Sequence, residues 1–401
     1  MRRSGSASSS RPPGSDHRLA GVTETAAVRV HGTVLAGFES VRAVFEENFD
    51  RGEVGASCCV YVDGRPMVDI WGGTIAPGSD EPYTDRTLQL VASATKGAMA
   101  ICAHRLAERG ELDFDAPVAS YWPEFASGGK ENLPVRWLFS HQAGLVAVDP
   151  ALTMAEIYRW TPIVDALAAQ EPYWEPGMAH GYHALTYGWL VGEVLSRISG
   201  LSVGELLARE VTQPLGIDFW VGLPESELPR VAPMIPAPEA DAFTAQLLDQ
   251  SGLAYKAFFV PNGLFGAIND PDLWRAELPA ANGMASARAL ARMYAACLGE
   301  VDEVRLLKPE TVAAATTQQT SPEQDRVITF RSRFGLGFQL SFPERPMAGE
   351  GSFGHYGLGG AVGFAHPERG FSFGYAMNQM LPGGSVDPRS KALIDAVLHC
   401  L

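Results

Sequence analysis

Apolar residues recur at two different spacings in the first part of the chain. Between Val34 and Asp50 they return every three or four residues, which predicts an amphipathic helix. Just after it, two apolar runs flank Asp63-Gly64 within residues 55–73. An Asp-Gly pair between such runs is a strong signal for a tight turn, so this stretch predicts a β-hairpin.

Strand patterns return near the other end of the chain. Residues 334–342 predict a strand, and residues 361–378 predict a second hairpin that turns within 366–370. A last helix is predicted over 389–401. The patterns that build a sheet therefore lie toward both ends of the chain.

The middle of the chain has a different character. From Lys96 to about Pro279, helical patterns alternate with loops rich in Pro, Gly and Trp. This arrangement predicts an α/β protein of the α+β type, with one domain built from both chain ends and an inserted all-helical domain. The predicted parts are a disordered tail at 1–20, a discontinuous α/β domain at 21–95 and 280–401, and a helical domain at 96–279.

Composition narrows the possible partners. The formal net charge of -15 disfavours nucleic acid and anionic membrane surfaces, because both are themselves negative. No apolar run approaches the roughly 20 residues that span a bilayer, so we expect no membrane insertion. The N-terminal residues lack the apolar core of a secretory signal. The five cysteines form no metal-ligand pattern, and we expect free thiols in a cytoplasmic protein.

The stretch Ser93-Ala94-Thr95-Lys96 carries the first candidate chemistry. It opens a helix predicted to run to Glu108 and to stop near Gly110. Because Ser93 and Lys96 are three residues apart, the ammonium group can reach the hydroxyl. A serine hydroxyl needs an adjacent base at neutral pH, and burial would lower the pKa of Lys96 toward that role. Alone, the pattern also fits a serine N-cap followed by an exposed lysine.

Two later motifs favour the catalytic interpretation of Ser93 and Lys96 over the N-cap interpretation. Tyr182 follows a Pro-Gly loop and precedes a helix predicted at 185–198, and His355-Tyr356-Gly357 is expected to open a strand. In this order the three motifs resemble those of the serine β-lactamase and penicillin-binding-protein superfamily. From about Val30 onward the chain resembles class C-like family VIII carboxylesterases and the related acyltransferases. The resemblance implies an antiparallel sheet flanked by helices.

The resemblance also implies a role for the first two motifs. Ser93 would be the acylated nucleophile. Lys96 and Tyr182 would act as base and acid, in an order that stays open because the two titrate as a coupled unit. A close ammonium group would stabilise the phenolate of Tyr182.

The third motif would contribute to the oxyanion hole. The backbone N–H groups of Ser93 and Leu358 would bind the oxyanion, with His355, Tyr356 and Gly357 beside them. The implied activity is hydrolysis of small-molecule carboxylic esters through an acyl-serine, with no cofactor and no metal. The oligomeric state stays open between monomer and dimer.

Two departures from the superfamily pattern bear on the substrate. The usual Tyr-x-Asn reads Tyr182-His183-Ala184, and the usual Lys-Thr-Gly reads His355-Tyr356-Gly357. An amide is lost, and a histidine binds a carboxylate only when it is protonated. Both changes favour neutral acyl esters over charged β-lactams and peptides. Acyl transfer to a small-metabolite alcohol, weak β-lactamase or D-amino peptidase activity, and a non-enzymatic binding role stay open as alternatives.

A second serine competes with Ser93. Residues 200–204 spell G-x-S-x-G, a pattern that marks the nucleophile of α/β-hydrolases when it follows a strand. Here a helical pattern precedes it, Gly200 suits a helix C-cap, and Ser202 with Glu205 forms a capping box. We therefore predict a structural role for Ser202. His180 and His183 lack a third ligand at a recognisable spacing, so we predict no metal site.

Overall fold

The computed structural model describes residues 28–401 apart from 238–246, 248, 251, 260–262, 322, 329 and 382–385. The predicted tail at 1–20 lies outside the described residues. The strands are β1 (Val30–Val34), β2 (Gly55–Val62), β3 (Arg65–Gly73), β4 (Gln89–Leu90), β5 (Phe219–Trp220), β6 (Met284–Ala285), β7 (Gln339–Leu340), β8 (Phe353–Tyr356), β9 (Val362–His366) and β10 (Phe371–Met377).

The α-helices alternate with short 3-10 turns, of which Ala92–Ala94 and Leu358–Gly360 concern the site. In chain order the helices are α1 (Glu39–Glu47), α2 (Thr95–Glu108), α3 (Val135–Phe139), α4 (Met154–Ile157), α5 (Thr161–Ala169), α6 (Thr186–Ser199), α7 (Val203–Leu207), α8 (Gln213–Leu215), α9 (Leu253–Phe259), α10 (Pro271–Arg275), α11 (Ala287–Leu298), α12 (Pro309–Ala315) and α13 (Pro388–Cys400).

Seven of the described strands form an antiparallel sheet in the order β1-β3-β2-β10-β9-β8-β7. Its strands come from residues 30–73 and 339–377, so both ends of the chain build it. The predicted fold class is confirmed. Every residue of the central strand β10 is buried, and Gly374 lets α11 pack so close that a Cβ would lie 2.1 Å from the Ala287 carbonyl oxygen.

Both predicted hairpins are present. Asp63 and Gly64 turn β2 into β3 with φ values of +46° and +75°, which is the twist that a two-residue hairpin turn requires. The second hairpin joins β9 to β10 and ends its turn at Gly370, whose φ is +64°. The last helix, α13, also forms where the pattern placed it.

Three predicted elements have different bounds. The helix predicted from Val34 begins only at Glu39, because residues 30–34 form the edge strand β1. That strand was missed because its exposed middle residues leave no apolar alternation. Only Gln339–Leu340 of the strand predicted at 334–342 is extended, because Gly337 turns the chain with a φ of +87°.

The motif His355-Tyr356-Gly357 ends a strand rather than opening one. His355 and Tyr356 are the last residues of β8. The chain then turns at Gly359 and Gly360, whose φ values of +89° and +129° are incompatible with a strand. The prediction that this motif opens a strand is therefore wrong.

A second sheet of three short strands, in the order β4-β6-β5, lies next to the candidate nucleophile. Its strand β5 falls within residues 96–279, so that segment is not entirely helical. The backbone N–H of Val91 donates to the Gly283 carbonyl at 2.8 Å, and this bond ties the residues before Ser93 to the residues that precede α11. The domain boundaries at 95 and 280 stay a prediction.

The helical context of Ser202 agrees with its predicted structural role. Gly200 ends α6 with a φ of +70°, and Ser202 caps α7. Its hydroxyl accepts from the Glu205 N–H at 3.3 Å, while the Glu205 carboxylate accepts from the Ser202 N–H at 3.0 Å. The hydroxyl also donates to Glu277 at 2.7 Å.

Replacing Ser202 by alanine should therefore cost stability and spare chemistry. We expect the free energy of unfolding to fall by about 1 kcal/mol in Ser202→Ala, because the N-cap acceptor is lost. Ser202→Asn, which keeps an acceptor, should stay closer to the wild type. Urea denaturation measures both, and a folded Ser202→Ala that had lost nearly all hydrolytic activity would overturn this assignment.

Candidate active site

Ser93 lies in the tight turn Ala92–Ala94, directly before α2. The residue before it, Ala92, has a φ of +46°, a left-handed conformation that costs energy for any residue with a side chain. The predicted helix therefore begins two residues later than expected, at Thr95, and Ser93 stands at its entrance. This strained turn directs the Ser93 side chain into a cavity that it lines.

Lys96 is completely buried beside Ser93. Its Nζ donates to Ser93 Oγ at 3.2 Å, to the Ala184 carbonyl at 2.8 Å and to the Ala280 carbonyl at 2.9 Å. Three acceptors match the three donors of an ammonium group. Burial nevertheless lowers the pKa of Lys96 well below its ordinary value, which makes the amine more available as a base.

Tyr182 completes the group around the Ser93 hydroxyl. Its side chain lines the same cavity as Ser93, and its ring centre lies 4.8 Å from Lys96 Nζ. Burial raises the pKa of Tyr182, and the nearby Ser93 side chain and the charge of Arg345 only partly oppose that rise. The expectation that a close ammonium group stabilises the phenolate stays a prediction. Tyr182 keeps its proton in this arrangement.

The segment after α12 holds Tyr182 in place. The buried carboxylate of Asp325 accepts from the Tyr182 backbone N–H at 3.0 Å, from the Val327 N–H at 2.8 Å and from the Ser332 hydroxyl at 2.8 Å. The ring of Phe334 stacks on the Tyr182 ring with centres 6.0 Å apart and planes 7° from parallel. Sequence reasoning missed Asp325, which lies in no recognised motif.

Leu358 lies against the same cavity as Ser93. Gly357 makes this possible, since a Cβ there would lie only 2.2 Å from the Val91 carbonyl oxygen. The end of β8 can thus pass directly beside the turn that carries Ser93. The residues predicted to form the oxyanion hole are brought together around one cavity.

His355 and Tyr356 are the last two residues of β8, beside the turn that carries Ser93. Nδ1 of His355 is 2.6 Å from the Tyr356 carbonyl oxygen, so that nitrogen carries the proton and Nε2 faces the buried interior as an acceptor. Burial, together with the nearby Lys96, lowers the pKa of His355 to about 3. His355 is therefore a neutral wall of the cavity. The Tyr356 hydroxyl accepts from the Met347 N–H at 3.1 Å and braces the preceding loop.

A buried ion cluster supports the turn Leu358–Gly360 from behind. Arg389 is fully buried and contacts Glu53 at 2.9 Å and Asp387 at 2.7 Å. The Asp387 carboxylate lies so close to Gly360 that a Cβ there would sit 2.1 Å from it. Removing Arg389 would leave two buried acids without their cation, so the cluster fixes the turn strongly.

Two cavities meet at Ser93. One is partly polar and includes Tyr182, Gln339, Arg345 and His355. The other also includes Ser93 but is almost entirely apolar, and its walls are Leu90, Ala92, Ala184, Leu185, Phe258, Leu264, Phe265, Ile268, Leu273, Leu278, Ala281, Asn282 and Leu358. Ser93 is thus accessible from two chemically different sides.

The Beta-lactamase family model matches residues 41–398 of this chain. The chain belongs to the beta-lactamase family. The family identification agrees with the resemblance inferred from Ser93-x-x-Lys96, Tyr182 and His355-Tyr356-Gly357. None of the described helices is long and apolar enough to cross a membrane.

Several known proteins are similar to this chain over most of their length. The esterase/beta-lactamase LipL of Mycobacterium tuberculosis is 35% identical over 381 residues, covering 92% of this chain and 88% of LipL. A family VIII carboxylesterase structure is 38% identical, with a TM-score of 0.85 over 93% of this chain and 100% of its own. A penicillin-binding protein homologue from Caulobacter crescentus is 36% identical, with a TM-score of 0.83 over the same shares.

His180 and His183, which the sequence analysis considered as a metal pair, are both within hydrogen-bonding distance of protein groups. His183 Nε2 accepts from the Leu145 N–H at 3.0 Å, and its Nδ1 lies 2.7 Å from the Gly181 carbonyl oxygen. His180 Nε2 lies 3.1 Å from the Ser332 hydroxyl. Both rings therefore take part in hydrogen bonds that order the loop around Tyr182.

Asp325→Asn should weaken activity through Tyr182. The amide nitrogen would face groups that donate to the carboxylate, so we expect about 1–3 kcal/mol of destabilisation and a lower kcat with little change in KM. The exposed Asp395→Asn is the matched control and should change stability by no more than about 0.5 kcal/mol. Steady-state kinetics that match the wild type in Asp325→Asn would contradict a positioning role.

Acid should destabilise the fold through its buried histidines. Burial lowers the pKa of His104 and His183 to about 4 and of His355 to about 3, and it lowers the pKa of His141 well below the ordinary value. The unfolded chain binds these protons first, so stability is fully present above about pH 6.5 and falls as the pH drops toward the folded values. Each histidine contributes up to about 1.4 kcal/mol per pH unit.

Urea denaturation between about pH 7 and about pH 5 measures this slope. Burial raises the pKa of Glu53 to about 7, so that acid titrates in the same range with the opposite sign, and the comparison of variant with wild type isolates the histidine part. His104→Gln should reduce the slope without touching the residues around Ser93. A slope in His104→Gln equal to that of the wild type would contradict the neutral, buried state of this ring.

Proposed function

We propose that this chain is a carboxylesterase-type serine hydrolase that cleaves small-molecule esters through an acyl-serine intermediate. The observation that carries the proposal is the surroundings of the Ser93 hydroxyl, which lies 3.2 Å from Lys96 Nζ and opens into a cavity that Tyr182 also lines. The relatives named as esterase and carboxylesterase support the same reaction class.

Acylation would use all three side chains. Ser93 Oγ bonds to the ester carbonyl carbon while its proton passes to Lys96, whose lowered pKa favours it as the first acceptor. The backbone N–H groups of Ser93 and Leu358 would hold the oxyanion. The bond from carbon to the alcohol oxygen then breaks, Tyr182 gives its proton to that oxygen, and Lys96 returns a proton to Tyr182.

Deacylation would reverse these roles with water as the nucleophile. A water oxygen bonds to the acyl carbon while its proton passes to the Lys96–Tyr182 pair. The bond between that carbon and Ser93 Oγ breaks, Ser93 regains a proton, and a carboxylic acid leaves.

The apolar cavity is the proposed site of the acyl group. A general acid must lie beside the atom that it protonates, so the side of Ser93 that holds Tyr182 would receive the alcohol. The acyl chain would then enter the opposite cavity. Ala184, which stands where the superfamily pattern has an amide, lines that cavity and supports an apolar acyl group.

Hydrolysis of β-lactams is the second candidate, at a low rate. The name of the Mycobacterium tuberculosis relative includes both esterase and beta-lactamase. The nucleophile and its proton-transfer partners would serve either acyl donor. Neutral His355 and apolar Ala184 disfavour the charged groups of β-lactams and of D-amino peptides.

Acyl transfer would use the same intermediate with an alcohol in place of water. Partition of the acyl-enzyme between water and added alcohols separates the two activities. If water is always the acceptor, acyl transfer is excluded.

We also propose a reducing compartment such as the cytoplasm. The five cysteines are free thiols, and four of them are buried. Free thiols persist in the cytoplasm and are uncommon in oxidising compartments.

Turnover of p-nitrophenyl esters tests the proposal. We expect rates to rise with acyl length until the apolar cavity is filled and then to fall. Ser93→Ala should lower kcat by at least about a thousandfold, because the nucleophile is lost. Ser202→Ala is the matched serine control and should keep its activity.

Undiminished turnover in Ser93→Ala would refute the proposed nucleophile. Labelling with a fluorophosphonate probe adds an independent readout, since the adduct should map to the peptide that contains Ser93. A folded protein that never accepts the probe would favour the non-enzymatic alternative.

A further inference from the structure

His141 stands at a backbone position that normally holds glycine. It follows α3 and the C-cap residue Ser140, and its φ of +62° is left-handed. The Gln142 N–H donates to the Trp137 carbonyl at 2.9 Å, which is the bond that closes a helix end of this kind. A left-handed conformation costs energy for a residue with a side chain, so other contacts must compensate for it. The contacts of His141 show what its side chain does there.

His141 holds the chain on both sides of Tyr182. Its carbonyl oxygen accepts from the Gly181 N–H at 3.0 Å, and its Nδ1 accepts from the His183 N–H at 3.1 Å. The N–H between them, that of Tyr182, donates to Asp325. Three consecutive backbone N–H groups are therefore bound, and one residue binds the outer two. This pair of bonds fixes the direction in which the Tyr182 side chain leaves the backbone.

The ring of His141 also packs against the Tyr182 ring. The centres of these two rings are 5.0 Å apart, and the centre of the Phe334 ring lies 4.4 Å from that of His141. Burial lowers the pKa of His141 well below its ordinary value, so the ring is neutral and Nδ1 can accept. Glycine would relieve the backbone strain at this position, but it would supply neither the acceptor nor the ring.

We propose that His141 is a positioning residue that holds Tyr182 where its hydroxyl protonates the departing alcohol. The inference rests on the proposed ester hydrolysis, in which the bond from carbon to the alcohol oxygen breaks as Tyr182 gives its proton to that oxygen. His141 acts through Tyr182, because the groups that it binds are the backbone N–H groups on either side of that residue. A shift of the Tyr182 hydroxyl by about 1 Å is enough to impair such a proton transfer.

Esters that differ only in the leaving alcohol test this role. The butanoates of p-nitrophenol and p-methoxyphenol share the acyl group and differ in one ring substituent. p-Nitrophenolate is a weak base that departs without a proton, whereas p-methoxyphenolate is a stronger base whose departure depends on an acid. His141→Leu has no acceptor. It should lower kcat/KM by about tenfold or more for the p-methoxyphenyl ester and by no more than about threefold for the p-nitrophenyl ester.

His141→Asn is the matched variant that keeps an acceptor. The asparagine amide oxygen is bonded to Cγ, as Nδ1 is in histidine, and asparagine adopts the left-handed conformation more readily than most residues. This variant should bring the p-methoxyphenyl ester to within about threefold of the wild type. His104→Gln changes a buried histidine outside the site and should keep the wild-type ratio of the two esters, which separates positioning from general destabilisation.

Tyr182→Phe links the effect to the acid itself. This variant should show the largest difference between the two esters, and adding His141→Leu to it should change their ratio by no more than about twofold. If the His141 variants do not fold, amide hydrogen exchange in the wild type measures the bonds directly. The Gly181 and His183 amides should then exchange far more slowly than those of an unstructured peptide.

Three results would overturn the inference. The first is an equal change for both esters in His141→Leu, or no change. The second is a His141→Asn variant with the same selective loss as His141→Leu, and the third is unprotected exchange at Gly181 and His183. If Tyr182→Phe separates the two esters and His141→Leu does not, the inference fails and the proposed hydrolysis stands. If Tyr182→Phe does not separate them, or the wild type hydrolyses neither, the proposed mechanism fails and the inference with it.

Discussion

The burial of the Lys96 amine between one hydroxyl and two backbone carbonyls constrains the whole site. The hydroxyl belongs to the turn before α2, one carbonyl to the residues before α6, and the other to the residues before β6. These three segments are held around one nitrogen. An amine left in this place without its acceptors would be costly, so the fold and the chemistry depend on the same contacts.

Two chemically different cavities adjoin Ser93. Gly357 allows β8 to pass beside the nucleophile turn, and the cluster around Arg389 fixes the next turn of the chain. On one side of Ser93 stand Tyr182 and Arg345, and on the other an apolar cavity.

Local patterns in the sequence predicted the local parts of this arrangement. The Asp63-Gly64 turn, the capping box at Ser202 and the reach of Lys96 to Ser93 each involve residues a few positions apart. The regular geometry of a turn or a helix brings residues at these spacings together. The fold class followed from the positions of the strand patterns, whereas the exposed edge strand β1 left no apolar alternation to detect.

The contacts that orient the site could not be predicted in this way. Asp325 reaches Tyr182 across 143 residues, and only the folded chain brings them together. The burial that raises the pKa of Tyr182 is likewise a property of the folded chain that a sequence does not give.

The most direct test is a titration of Lys96 by NMR in protein labelled at the lysine ε-carbon, with the resonance assigned through Lys96→Met. Burial of the amine predicts a pKa for Lys96 well below the ordinary lysine value of about 10.4. A resonance that titrates at or above that ordinary value would contradict the account.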